Sequence, residues 1–271
     1  MEEQPVPRRT RVRAGVTVLA FLTAMVLVAC SAPLKPETVA DKTTPPKLGA
    51  CYRLAPADTE KSSNTSQSVS CSRPHTSQTF AVGTRPDSTG KTYTSGAHGK
   101  WIFSTCEKAF EKFLGVDESL AMRIFLSWAW FRPSERGWDK GARWYRCDLV
   151  GGPSDAREYA DLPATAKGLF RGRPPEEWLT CAQGPTVLGA KRVPCSDKHD
   201  WRAATTIKLG EPKDPYPGDR VAEVQSRDYC SDSVGAWMNY PIGYEFGYTW
   251  FHEAEWQAGN RRAICWAKTD R

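Results

Sequence analysis

Two short patterns set a thiol and an imidazole four residues apart: Cys71-Ser72-x-x-His75 and Cys195-Ser196-x-x-His199. Thiolate and neutral imidazole are the ligand types of a tetrahedral zinc site, so Cys71, His75, Cys195 and His199 can be written as one Cys₂His₂ set. Each imidazole can equally be a ligand-facing group or a general base, or can hold the turn leaving a strand through its ring nitrogens. A longer pattern also occurs twice, as Trp138-x-x-Gly141-x-Arg143-x-x-x-Cys147 and Trp256-x-x-Gly259-x-Arg261-x-x-x-Cys265. On a strand, residues an even number apart share a face. If the cysteines point inward, Arg143 and Arg261 do too. A buried guanidinium needs carboxylate or backbone carbonyl partners, or serves as a fork for an anion. Trp138 and Trp256 read as core or loop-closing aromatics before stacking platforms. These six residues, His75, His199, Arg143, Arg261, Trp138 and Trp256, are the candidate binding set.

Catalytic signatures are weak. The chain has no serine-centred elbow, no zinc-protease motif and no phosphate-cradling glycine loop. Asp197, Asp200, Glu253 and Glu255 cluster in the second half only, with Thr76 standing opposite Asp200 in the first. No catalytic residue, metal or cofactor is assigned.

The repeated patterns imply a duplicated chain. Eight cysteines fall in two sets of four, at 51, 71, 106 and 147, then at 181, 195, 230 and 265, and the second-to-third spacing is 35 residues in both. The halves are set at 47–150 and 177–271. The join, 151–176, carries Gly151-Gly152-Pro153 and Arg171-Gly172-Arg173-Pro174-Pro175, which is linker chemistry, with a possible helical turn over 155–162. Ser104 and Glu107 fit a capping box that opens a helix with Cys106, Phe110, Phe113 and Leu114 on one stripe and Gly115 at its end. Ser226 stands as N-cap for the matching stripe of Cys230, Val234, Trp237 and Met238. The aromatic stretches 124–131 and 246–251 read as strands, and the fourth cysteine of each half follows at the end of another. The fold class is α+β: two tandem homologous small domains, each a small, mostly antiparallel sheet with one packed helix and two disulfides.

The disulfide expectation comes from the N-terminus. Arg8, Arg9, Arg11 and Arg13 precede an apolar run over 14–29, long enough for a signal sequence and short of the ~20 residues of a bilayer span. The run closes on Leu27-Val28-Ala29-Cys30, a lipobox pattern that makes Cys30 the lipid-attachment residue of the mature chain. Residues 30–46 hold four prolines and no apolar period, and read as a tether. An exported chain with an even cysteine set is most simply a disulfide framework. Eight cysteines permit 105 pairings. Duplication favours Cys51–Cys71, Cys106–Cys147, Cys181–Cys195 and Cys230–Cys265, and the zinc set stays as the competing use of Cys71 and Cys195. The formal charge of +6, of which the signal carries +2, does not argue for a nucleic-acid partner.

The two repeated motifs, with a helix cysteine between them, resemble the septum-formation domain of actinobacterial envelope proteins. The resemblance implies membrane anchoring, a domain outside the cytoplasm and a link to cell division, and carries over no catalytic residue. In the first half Thr76 follows His75 where an acidic residue often stands in the family. The expected role is that of a non-enzymatic lipoprotein on the outer face of the plasma membrane. It would be held by a diacylglyceryl lipid on Cys30 and bind an envelope protein or a cell-wall polymer. The competing expectation is a cell-wall hydrolase or metal-dependent enzyme with its site between the halves. Intact-mass measurement of membrane-extracted protein should show loss of residues 1–29, a lipid on Cys30 and a gain of about eight protons on reduction. A native thiol count near eight would contradict this.

Overall fold

The computed structural model describes residues 36–269. The signal segment 1–29, Cys30 and the start of the tether lie outside the described residues. The first half runs β1 (Cys51–Tyr52), α1 (Pro56–Thr59), β2 (Ser77–Thr84), α2 (Ala97–Leu114), α3 (Glu118–Ala121), β3 (Ser127–Phe131), α4 (Glu135–Asp139) and β4 (Trp144–Val150). The second runs β5 (Thr180–Gln183), β6 (Lys191–Pro194), β7 (Trp201–Lys208), α5 (Asp219–Trp237), β8 (Phe246–Thr249), α6 (Glu253–Ala258) and β9 (Arg262–Lys268). Each half is an antiparallel sheet with one long helix, in the orders β1-β2-β4-β3 and β6-β5-β7-β9-β8. The chain is α+β. Among the described residues no helix is long and apolar enough to cross a membrane.

The duplication holds in register. β2 pairs with β4, and β7 with β9, each with a bulge two residues before the partner of the fourth cysteine: Thr79/Ala81 facing Cys147, and Ala203/Thr205 facing Cys265. A bulge at the same rung bends both sheets alike. The β5–β6 hairpin has a reduced counterpart in the first half. Cys181 pairs with Val193, whereas Cys51 meets Val69 as an isolated bridge.

Four disulfides form: Cys51–Cys71, Cys106–Cys147, Cys181–Cys195 and Cys230–Cys265. With Cys71 and Cys195 oxidised, the Cys₂His₂ zinc reading fails, because neither sulfur is a thiolate. Cys106–Cys147 and Cys230–Cys265 pin each helix to the middle of β4 and β9, not to the end of the strand. They close loops spanning 41 and 35 residues. Loops of that length make each bridge worth about 2–4 kcal/mol.

Both helices start earlier than the capping signals suggested. The buried stripe of α2 is His98, Ile102, Cys106, Phe110 and Leu114, and that of α5 is Ala222, Ser226, Cys230 and Val234. Ser104 is therefore interior to α2, its hydroxyl donating to Trp101 O at 3.1 Å. Ser226 is buried mid-helix and donates to Ala222 O at 2.6 Å. A serine hydroxyl that bonds back one turn sits within a helix as readily as at its start. Trp237, expected on the buried stripe, is half exposed at the end of α5. Gly115 does end α2, in the left-handed region at φ 80°.

Residues 151–176 contain no helix over 155–162, and much of the stretch is packed. Leu162, Ala166 and Phe170 join Phe80, Phe110 and Leu149 in the first-half core, which also takes in Trp178 at the threshold of β5. The backbone is tied down at Leu162 N to His75 O (2.7 Å) and Gly168 N to Phe113 O (2.7 Å). A side chain at Gly151 would place its Cβ 2.0 Å from Ala160 O, so only glycine lets these strands of chain meet. The halves also touch directly. Ile124 bridges to Leu179, Arg123 Nη1 donates to Ala204 O at 2.9 Å, and Arg262 pairs with Glu118 at 2.9 Å. Residues 37–269 belong to one compact unit.

Within the stretch expected to be a tether, a turn at Val39–Asp41 lies against α4, with Ala40 and Asp41 buried. Asp41 accepts from the Ser134 hydroxyl, from Thr38 N at 2.7 Å and from Thr38 Oγ1 at 3.0 Å, and Arg136 is 4.0 Å away. Ser134, Thr38 and Arg136 hold its carboxyl down at about 2. Since an unfolded aspartate titrates near 4, this contribution is complete above about pH 4 and is lost as pH falls through about 2. Asp41→Asn is expected to cost about 2 kcal/mol at pH 7. The difference from wild type, followed by urea unfolding, should vanish as pH falls from about 4 to 2.

Candidate functional site

The duplicated residues face inward and hold loops. His75 and His199 are both buried, at 1% and 2% exposure, and sit in the turns that enter β2 and β7, not in turns leaving a strand. In each, Nδ1 donates two residues back, to Arg73 O at 2.8 Å and to Asp197 O at 2.7 Å. The two Nε2 atoms have no hydrogen-bond partner among the described residues. No group of three or more metal-ligating side chains occurs among the described residues.

Trp138 and Trp256 lie buried in α4 and α6, and Arg143 and Arg261 stand just ahead of β4 and β9, off the strands proper. Each guanidinium covers its own tryptophan, at 3.8 Å and 3.9 Å from the ring centre, and donates to that tryptophan's carbonyl. Arg261 donates further to Glu211 O at 3.2 Å and Pro212 O at 3.2 Å. Cation–π contact together with carbonyl capping makes a clasp that closes each α-to-β turn. The accepting carbonyls use up much of the fork that an anion would need.

One buried group escaped the sequence reading. Arg146 and Asp148 flank Cys147 and so share the opposite face of β4. They form an ion pair at 3.0 Å, with side chains 2% and 0% exposed. Arg146 lies between the rings of Tyr52 (4.2 Å) and Phe131 (4.7 Å) and donates to Asn64 Oδ1 at 3.1 Å, and Thr79 Oγ1 donates to Asp148 Oδ1 at 2.7 Å. Burial pushes the Asp148 carboxyl up, against the opposing pull of Arg146 and Thr79. The second half has Ile264 and Trp266 at the matching positions, two-sided apolar packing in place of an ion pair.

With the clasps and histidines turned inward, residues of both halves line a groove of about 530 Å³. Ile124, Leu126 and Ser127 line it from the first half, Asp155 from the join, and Thr180, Arg192, Trp250, Glu255 and Arg262 from the second. Trp250 is partly buried and ends an aromatic row along the edge strand β8, with Tyr248 5.7 Å away and Phe246 6.5 Å beyond that. Arg192 lies over the buried Trp266 at 4.1 Å, and burial lowers its pKa while Asp155 opposes the shift. A second groove, of about 420 Å³, runs along the outer edge of β3 past Trp128, Trp130 and Tyr159. The two share Ser127 and Ser154 as lining.

A family model described as septum formation matches residues 34–132 and again 126–265. The chain belongs to the septum-formation family. Membership of the septum-formation family points to a role at the division septum. No curated protein and no solved structure matches the chain.

Removing one partner of a buried ion pair leaves a charge without compensation. Arg146→Met is expected to cost about 3–5 kcal/mol in chemical unfolding, because Asp148 stays behind. The double change Arg146→Ile with Asp148→Trp, which imports the second-half residues, should recover part of that loss.

Proposed function

We propose that this septum-formation protein is a lipid-anchored recognition protein of the envelope. Cys30 would carry a diacylglyceryl group, and residues 37–269 would act outside the cytoplasm. The N-terminal arginines, the apolar run and the lipobox support the anchor, and four disulfides suit an oxidising compartment. Recognition is favoured over catalysis because the repeated polar residues, His75, His199, Arg143 and Arg261, are engaged in holding turns.

The observation that carries the reading is the pair of grooves sharing Ser127 and Ser154. Partly buried Trp128, Trp130 and Trp250 alternate there with hydroxyls, carboxylates and the guanidinium groups of Arg192 and Arg262. Such a lining suits an extended polymer with apolar sugar faces and hydrogen-bonding amides, which is the chemistry of the cell wall. A protein partner is the second reading. The turn after α5 favours it, where Trp237, Tyr240 and Ile242 are 48%, 59% and 112% exposed.

The test is co-sedimentation of the full chain with purified cell-wall sacculi. Wild type should pellet with the wall. Trp250→Ala combined with Trp128→Ala should weaken binding about tenfold or more, a loss of at least ~1.4 kcal/mol, with unfolding still cooperative. Loss confined to Trp237→Ala and Ile242→Ala would move the polymer site from the grooves to the end of α5 and the turn after it. Wild-type protein that stays wholly in the supernatant would discard the polymer reading.

A further inference from the structure

In the first half, the chain that leaves β4 crosses the end of the long helix and covers it. Gly168 N donates to Phe113 O at 2.7 Å, Phe170 N to Leu114 O at 3.1 Å, and Ala166 N to Gln78 Oε1 at 3.0 Å. Leu162, Ala166 and Phe170 bury themselves in the core with Phe80 and Phe110. This cover satisfies carbonyls that the end of a helix leaves without intrahelical donors.

The second half has the same foundation without that cover. Phe80 and Ala204 are the two bulge residues, and Gln78 and Arg202 correspond through their partners Leu149 and Ala267. Phe113 and Trp237 each follow the helix cysteine by seven residues. The two copies also leave their last strands alike: Gly151 N donates to Thr76 O at 3.1 Å, and Thr269 N to Asp200 O at 2.8 Å. Past that point they part. His75 O accepts from Leu162 N in the first half, whereas His199 O, Trp237 O and Met238 O, the counterparts of His75 O, Phe113 O and Leu114 O, accept no hydrogen bond among the described residues. Phe113 lies 5.8 Å from the Phe80 ring; with alanine at 204, Trp237 has no such neighbour and is 48% exposed.

What stands there is an open pocket of about 370 Å³, floored by Ala203 and Ala204 and walled by Trp237, Arg123, Arg173 and Arg202. Its charge is one-sided, with Glu176 the one carboxylate against three guanidinium groups. Arg202 is taken by Glu176 in a bidentate pair at 2.6 Å and 3.0 Å. Arg123 is positioned by backbone carbonyls, donating to Ser119 O at 3.1 Å and Ala204 O at 2.9 Å. Neither Arg123 nor the exposed Arg173 forms an ion pair among the described residues. A guanidinium stays charged in a protein, and it matches a carboxylate in shape as well as in sign.

We infer that this pocket takes an extended acidic peptide segment of a partner protein, laid across the second half as residues 162–170 are laid across the first. The segment sets an apolar side chain beside Trp237 in the space over Ala204. Its backbone N–H groups donate to Trp237 O and Met238 O, and its carboxylate meets Arg123 and Arg173. The pocket shares no lining residue with either groove, so the inference stands whether or not those grooves hold a polymer.

The probe is a fluorescent synthetic peptide of residues 160–170 carrying Thr165→Glu and Lys167→Glu, titrated into the full chain in detergent and read by anisotropy. It should bind saturably, about tenfold or more tighter than the unaltered sequence, and more weakly as salt rises. Arg173→Glu and Trp237→Ala should each weaken it by about tenfold or more. Ala204→Phe, which imports the first-half residue, should fill the pocket and abolish binding. Trp128→Ala with Trp250→Ala should leave it unchanged. The inference is overturned by the lack of saturable binding, by equal affinity for the two peptides, by binding that survives both Arg173→Glu and Trp237→Ala, or by soluble cell-wall fragments that bind in a Trp237-dependent way where the peptide does not. Arg173 and Trp237 are exposed, so their variants decide the matter even if Ala204→Phe does not fold.

Discussion

Each half depends on one covalent tie between the long helix and the middle of a central strand. Cys106–Cys147 and Cys230–Cys265 join the buried stripe of a helix to the strand residue beside a bulge that both halves share. A two-layer arrangement of one helix on a four- or five-stranded sheet offers a limited apolar core. The tie removes freedom from the unfolded chain, so the helix does not need a wide apolar face. This explains why α5 can expose Val221, Val224 and Tyr229 and yet remain a helix of 19 residues. It also explains why the clasp tryptophans sit outside the main core, closing turns that the tie has already brought together.

The elements most legible in the sequence were those marked by repetition. The two cysteine sets, the helix stripes and the aromatic strands gave the α+β class and the helix-to-strand ties, because a duplicated spacing constrains both copies at once. Helix starts were not legible from Ser104 and Ser226. A serine followed by Glu or a good helix former looks the same at a first turn and in an interior, and the stripe that extends to His98 and Ala222 begins with residues that carry no apolar signal. Arg146 and Asp148 were missed for a related reason. Alternation from Cys147 puts its neighbours on the opposite face, and nothing local in the sequence tells that the loop bearing Asn64 and the ring of Tyr52 cover that face of the sheet. The join looked like a linker from its glycines and prolines, although Leu162, Ala166 and Phe170 were present to be buried.

The two copies have diverged most where sulfur does not hold them. Their shared parts are the bulges, the ties, the histidine turns and the Trp–Arg clasps. Their differences lie in what fills the spaces between: an ion pair against a tryptophan behind the sheet, and arginines against leucine, alanine and tryptophan around the clasp. A fixed covalent frame lets interior polarity change without a change of topology.

The packing of Phe170 and Trp178 beneath α2 bears on how the molecule can be divided. A fragment cut at the boundary suggested by the repeat would leave Phe80, Phe110 and Leu149 facing water, with the aromatic lid removed. The repeat unit is thus not the autonomous unit. In transplantation or in evolution by recombination, the amino-terminal copy has to travel with the connecting chain and the threshold of its neighbour.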